Sequence, residues 1–162
     1  EVARHDTAGV ARLSVLERYG RGSKPANAYV RGFGESFRGA IASSVGHDSH
    51  NLIVVGRDPA DMRAALAALV ECGGGLCVVE KGRSIARLPL PLGGLMSEAE
   101  PATLRHEIEG LRAASRSIGC SMPEPFLQLA FLSLPVIPSL KLTDRGLVDV
   151  DQFKIIDVRA VP

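Results

Sequence analysis

The stretch SSVGHDSHNLIVVG, residues 43–56, sets two histidines, an aspartate and a serine side by side ahead of an apolar run. Imidazole and carboxylate together bind transition metals or carry protons near neutral pH. His47, Asp48 and His50 are therefore the candidate catalytic groups, and His47 and His50 the candidate metal ligands. The spacing alone does not converge them, because side chains three apart in an extended strand face opposite sides. Both rings reach one ion only if residues 46–50 turn, which Gly46 permits. The competing reading is a hydrogen-bonded turn in which Asp48 or Ser49 caps backbone amides. Further metal ligands would have to come from His5 or His106, and nothing in the sequence places them nearby.

Two glycine-rich stretches invite the same scrutiny. "CGGGL" lacks the pattern of a phosphate-binding loop and lies after a helix and before a strand, so it reads as a helix stop. "LPLPLGGLMS" puts Gly93, Gly94 and Met96 in a loop, either a lid or docking loop or a plain connection. No nucleophile elbow and no H-x-H or H-E-x-x-H motif is present, which leaves the chain under-equipped as an enzyme on its own.

The elements that must position these residues follow from periodicity. "VARLSVLERYG", "NAYVRGFG" and "RGAIASSVG" read as strands separated by glycines and by "GSKPAN". "GAIASSV" is small on both faces, which suits close approach of another element. The HDSH cluster lies at its carboxyl end and at the amino end of "NLIVVG", a continuous apolar run expected of a strand covered on both sides. Asp58 is the N-cap and Pro59 the first residue of a helix whose apolar face is Met62, Leu66, Leu69 and Val70, with Asp61 in its first turn and Gly73 to Gly75 ending it. "GLCVVEKGRSIARLPL" gives two antiparallel strands about Gly82. Strand, helix and strand together imply a right-handed crossover between parallel strands.

A second helix carries Leu104, Ile108, Leu111 and Ile118 on its apolar stripe, with Gly119 as its stop and His106 on its polar face. "PFLQLAFLSLP" predicts a short buried helix, and "RGLVDVDQFKIIDV" a last strand or two. The fold class is α/β or α+β, a mixed sheet with one βαβ crossover and about three helices. Residues 1–162 are expected to form one compact domain.

Composition narrows the function classes. Apolar residues make up 46% and charged residues 23% of the 162, a globular balance with enough chain for a sound core. Lys and Arg number 19 against 18 Asp and Glu, so no basic field recruits nucleic acid, and aromatics for base stacking are only 4%. Cys72, Cys77 and Cys120 form neither a disulfide framework nor a zinc motif, and Cys72 and Cys77 read as small core residues. A reducing, cytoplasmic compartment is expected, with no membrane span. The chain begins "EVARHD" without methionine, as expected of a piece of a longer protein.

"GAIASSVGHDSHNLIVVG", "LVECGGGLCVVEKGR", "LPLPLGGLMS" and "LPVIPSLKLTDRGLVDV", in this order, resemble the C-terminal domain of bacterial adenine deaminase, and "EVARHD" resembles that domain's start. The resemblance runs over nearly the whole chain. It implies an amidohydrolase that converts adenine and water to hypoxanthine and ammonia at a metal site, manganese or iron, in an upstream barrel that this chain does not contain. By resemblance these residues are an accessory domain whose loop from Gly46 to Asn51 faces the barrel mouth. His47, Asp48, Ser49 or His50 there closes the purine pocket or orients a metal ligand, or merely satisfies backbone at a junction. Ser49, Asn51, Gly93, Gly94 and Met96 are the substrate-binding or docking candidates. The upstream barrel is the implied partner, and a contact between copies of the chain is a further one. An independent binding domain with no deaminase attached is the rival class.

Overall fold

In β1 (Ala11–Leu16) the side chains of Ala11, Leu13 and Val15 are buried while Arg12 and Leu16 are only partly so, which is the alternation of a strand with one face in the core. The computed structural model describes residues 9–22 and 24–160. The "EVARHD" stretch with His5, and Ser23 of "GSKPAN", lie outside the described residues.

β1 is followed by β2 (Ala26–Val30), β3 (Ala40–Ser43), β4 (Leu52–Gly56), α1 (Pro59–Glu71), β5 (Gly75–Glu80) and β6 (Arg83–Pro89). The six strands form one sheet in the order β2-β1-β4-β3-β5-β6. Then come α2 (Pro101–Ser117), α3 (Pro125–Phe131) and a second sheet of β7 (Leu140–Thr143), β8 (Gly146–Asp149) and β9 (Lys154–Ile156). The α+β class, the three helices and the crossover are all present. The pairing is antiparallel in every ladder rather than mixed. β4 and β5 are each antiparallel to β3, so they run parallel to one another with β3 between them. The all-buried Ala-Ile-Ala-Ser of β3 is small enough to fill that central place.

Alternation divides the apolar residues between two layers. Ile41, Ile53, Val55 and Val78 face a core shared with α2, α3 and the second sheet, to which Leu111, Leu129, Leu142 and Leu147 contribute. Ala40, Ala42, Val54, Cys77 and Val79 face α1. Small residues meet small residues there, Ala65 and Ala68 of α1 against Ala40 and Ala42, so backbones approach closely and most of the anchoring falls to Met62 and Leu69, each worth roughly 1.5–3 kcal/mol of burial.

The ends of α1 form as their residues dictate. The Asp58 carboxylate accepts the Ala60 N–H at 2.7 Å, and Pro59 needs no donor at that position. At the other end Gly74 N–H donates to Leu69 C=O at 2.8 Å and Gly73 N–H to Val70 C=O at 3.2 Å, with Gly73 at φ 74°, the double closure that a glycine stop allows. Three details depart from the sequence reading. Val70 is 72% exposed, because the buried face turns instead on Ala65 and Ala68. Asp61 is buried, and its carboxylate accepts the Gly82 N–H at 2.6 Å, tying the first turn to the β5–β6 hairpin. Leu127 is exposed, so α3 is buried on one side only.

The cysteines are free, with Cys77 and Cys120 buried and Cys72 half-buried. Burial pushes the Cys77 thiol up to about 12, as suits a core residue rather than a nucleophile. Among the described residues no helix is long and apolar enough to cross a membrane.

Candidate functional site

β1, β4 and β3 are neighbours, and the HDSH loop leaves the sheet where β3 ends, β4 begins and β1 ends. Two connections, the β3–β4 loop and the β1–β2 turn, therefore meet at one edge of the sheet. The turn after β1 is held by the Glu17 carboxylate, which accepts the N–H groups of Tyr19, Arg21 (2.8 Å) and Gly22 (2.9 Å). Partial desolvation pushes the Glu17 carboxyl up, but the donors from Gly22, Arg21 and Tyr19 and the Arg21 charge outweigh it and leave the carboxyl below its ordinary range.

Inside the HDSH loop, Ser44 is buried. Its hydroxyl donates to Gly94 C=O at 2.6 Å and accepts Gly75 N–H at 2.7 Å. The His47 ring stacks on Phe131, with centroids 4.9 Å apart. Ser49 N–H donates to His47 C=O at 3.0 Å, closing a three-residue turn about Asp48 at φ 70°; His50 follows at φ 49°. Two non-glycine residues with positive φ in three positions store backbone strain, which the surroundings must hold. Tyr19 supplies part of that restraint, its hydroxyl donating to Ser49 C=O at 2.8 Å.

Asp48, Ser49 and Asn51 line a polar cleft of about 690 Å³ together with Tyr19, Asp144 and Arg145. Asn51 is only 3% exposed, and its Nδ2 donates to Asp144 Oδ1 at 3.0 Å. A carboxylate only accepts, so the amide nitrogen must face Asp144 and Oδ1 must face away. That Oδ1 is buried without a partner among the described residues, and so are Arg18 Nε and His50 Nδ1. All three atoms belong to residues of the two loops that meet here.

The structure thus brings Asp48, Ser49 and Asn51 to one cleft and sets His47 against Phe131. His50 is half-buried between them in sequence. Among the described residues no three His, Cys, Asp or Glu side chains gather as a metal site.

Gly93, Gly94 and Met96 stand outside the cleft lining but are tied to it. Arg18 Nη2 donates to Gly93 C=O at 2.9 Å while its guanidinium lies 5.4 Å from the centre of the Tyr19 ring. Gly94 sits at φ 75°, and a Cβ there would meet Arg18 Nη1 at 2.7 Å and Ser44 Oγ at 3.0 Å, so both backbone conformation and packing favour glycine. Met96 is 60% exposed at the tip of that loop, and Leu92 beside it is exposed as well.

Sequence reasoning missed Glu17, Arg18, Tyr19, Asp144 and Arg145. "ERYG" directly after a strand, and "TDRG" between two short ones, are turn signals with charge and an aromatic, but no spacing rule joins them to Ser49, 30 residues from Tyr19, or to Asn51, 93 residues from Asp144.

The geometry defines an α+β domain that presents a restrained polar loop and cleft at one edge of its sheet. Residues 1–154 match the family described as adenine deaminase C-terminal domain. A protein named adenine deaminase from Shewanella halifaxensis is 52% identical over 151 residues, covering 93% of this chain and 26% of that protein. One from Edwardsiella ictaluri is 50% identical over 154 residues, 95% of this chain and 26% of its own length. One from Cereibacter sphaeroides (strain ATCC 17025) is 54% identical over 147 residues, 91% and 26%. The chain belongs to the adenine deaminase C-terminal domain family, and it spans about a quarter of the length of these relatives.

Proposed function

We propose that this chain is the accessory domain of a cytoplasmic adenine deaminase, a hydrolase that turns adenine and water into hypoxanthine and ammonia. On this reading the reaction centre, with manganese or alternatively iron, lies in an upstream amidohydrolase barrel of the same polypeptide. No step of the chemistry is assigned to a metal held here. The HDSH loop meets the mouth of that barrel, where Asp48 and Ser49 close the purine pocket and His47, fixed by Phe131, walls it.

The observation that carries this reading is a backbone strained at Asp48 and His50 beside a polar cleft lined by Asp48, Ser49 and Asn51, with Asn51 Oδ1 buried and without a partner among the described residues. A domain that met nothing at this edge would gain nothing from either feature. Asp48 carries no hydrogen bond or ion pair to the described residues, so its carboxylate is free to face a ligand or a neighbouring domain.

The test is adenine turnover by the full-length enzyme carrying Asp48→Asn, which keeps tolerance of positive φ and removes the charge. A fall in kcat/KM of about 10- to 100-fold is expected, the effect of losing a group that orients catalytic ligands. His47→Ala is expected to act in the same direction. The 162-residue chain alone, supplied with manganese, is expected to release no ammonia above background. Clear turnover by it, lost on His47→Ala, would place the reaction centre in this domain instead.

A second reading is favoured by exposed Leu92 and Met96 beside Arg18: the same edge is only a junction or a subunit contact. It predicts unchanged kcat and KM in Asp48→Asn and His47→Ala with the domain merely loosened.

A further inference from the structure

α1 covers only part of its side of the sheet. Its main contacts run to β3, β4, β5 and β6, leaving the β1–β2 edge open on that side. Beside the helix lies a groove of about 590 Å³. Its floor includes Leu16 and Val54, and Met62 and Leu66 form the α1 wall. Val158, in the C-terminal 3₁₀ turn Val158–Ala160, closes the far side.

The dimensions and the charge both constrain what fits. Two strands span about 10 Å, and a helix with its side chains is about 10–12 Å across, so the open strip takes one helix and no second layer. The polar atoms of the floor are already engaged, the Ser14 hydroxyl donating to Asn27 Oδ1 at 2.7 Å and Asn27 Nδ2 to Pro25 C=O at 3.2 Å. That leaves the floor suited to an apolar face. The charged residues of the lining are Arg12 and Arg63, and neither makes an ion pair among the described residues. Arg12 rests 5.9 Å from the centre of the half-exposed Tyr29 ring. The complement is a segment apolar on one side and acidic along its edge.

The source follows from where polypeptide enters. About three quarters of each relative lies outside the region that this C-terminal domain matches. Chain from that region arrives at β1, whose second residue, Arg12, is part of the groove. We propose that in the full-length protein the groove is filled by an acidic amphipathic helix from the polypeptide N-terminal to this domain. Its apolar face lies on Leu16, Met62 and Leu66, and its carboxylates pair with Arg12 and Arg63. The groove reaches Leu16 and Pro25, one residue from Glu17 and Lys24 of the polar cleft, so the docked helix runs to the edge of the candidate site. The inference rests on the α1 side of the sheet alone and stands apart from any role of the HDSH loop.

The experiment is site-specific photo-cross-linking in full-length protein with Arg63→benzoylphenylalanine, and again with Tyr29→benzoylphenylalanine. Both positions are exposed, so a failure of one variant to fold leaves the other. The expected result is an intrachain cross-link from each position to one peptide N-terminal to this domain that carries Asp or Glu. A covalent dimer would put a second copy in the groove and overturn the proposal. The absence of any cross-link beyond this domain, from both positions, would overturn it equally. The reading of the cleft is judged by Asp48→Asn kinetics, so the two fail separately.

Discussion

The α1 side of the sheet and the cleft at its edge are built on opposite terms. Beneath α1, small side chains stack at regular spacing, caps close both helix ends, and the polar atoms are few. At the cleft, the loop holds two non-glycine residues at positive φ, one carboxylate gathers three backbone donors, and the buried Asn51 Oδ1 faces no partner among the described residues. Stability is concentrated in the first region. The second spends some of it to hold polar groups in a set place, the usual economy of a site carried by loops on a rigid sheet.

The sharpest way to break this contrast is on α1 itself, where two adjacent apolar residues face different surroundings. Leu69→Ala is expected to cost about 3 kcal/mol, because the side chain is fully buried and the cavity closes only in part. Val70→Ala is expected to stay within about 0.5 kcal/mol, since Val70 lies in solvent. Urea-denaturation midpoints of the two variants of the chain decide it. Equal costs would mean that the helix is rotated from the face described.

Gly74 tests the seam between the two regions. It sits at φ 113°, and a Cβ there would lie 2.5 Å from Gly94 Cα and 2.9 Å from Ser44 Oγ. Gly74→Ala therefore forces backbone against backbone, with an expected loss of about 2 kcal/mol from overpacking and strain. The loop of Gly93 to Met96 should loosen with it. Increased protease cleavage in that loop, beside an unchanged β5–β6 hairpin, would sharpen the comparison; a variant as stable as the parent would contradict the close approach.

Tyr19→Phe removes one hydrogen bond, to Ser49 C=O, and leaves the ring in place. About 1 kcal/mol is expected. The larger consequence is local: amide exchange at Ser49, whose N–H closes the turn about Asp48, should accelerate while exchange in β4 does not. Protection unchanged at Ser49 would show that the strained turn is held by something else.

The smallest effect is one of pH. The Glu17 carboxyl titrates below its ordinary range in the folded chain, so its contribution is complete above the unfolded-state value and is lost as pH falls through the lower folded-state value. Acidification should therefore release the Tyr19, Arg21 and Gly22 amides to exchange before the sheet itself yields. In Glu17→Gln the protection of these amides, measured against their intrinsic exchange rates, should no longer change with acid in that window. An acid dependence that survives the substitution would assign it to another group.

Much of the fold was legible because its signals are local. Asp58 and Pro59 start α1, Gly73 and Gly74 end it, Gly82 turns β5 into β6 with positive φ, and Leu104, Ile108, Leu111 and Ile118 mark the face of α2. Each is a rule about residues within a few positions of one another. The same rules misplaced Val70, because spacing fixes which residues share a helix face but not which way the face turns. That turned on Ala65 and Ala68, small enough to let the helix sit against Ala40 and Ala42.

The site was legible by half. The residue types in HDSH raised the chemistry, and a turn within residues 46–50 was there to be read, although it is made at Asp48 and His50 rather than at Gly46. Its partners were not, since Tyr19, Phe131 and Asp144 reach it across the chain.

By itself, then, the sequence determined the strands and helices, their caps and turns, the crossover, and the family to which those motifs belong in order. The tertiary structure alone decided that β3 stands between β4 and β5, that His47 is spent on Phe131 while Asp48, Ser49 and Asn51 share a cleft, and that Arg18 and Tyr19 bind two distant loops together. The reason is physical. Local elements follow from backbone sterics and periodic burial, which neighbours in sequence encode, whereas strand order and side-chain convergence are set by which surfaces pack best, a comparison made over the whole chain at once.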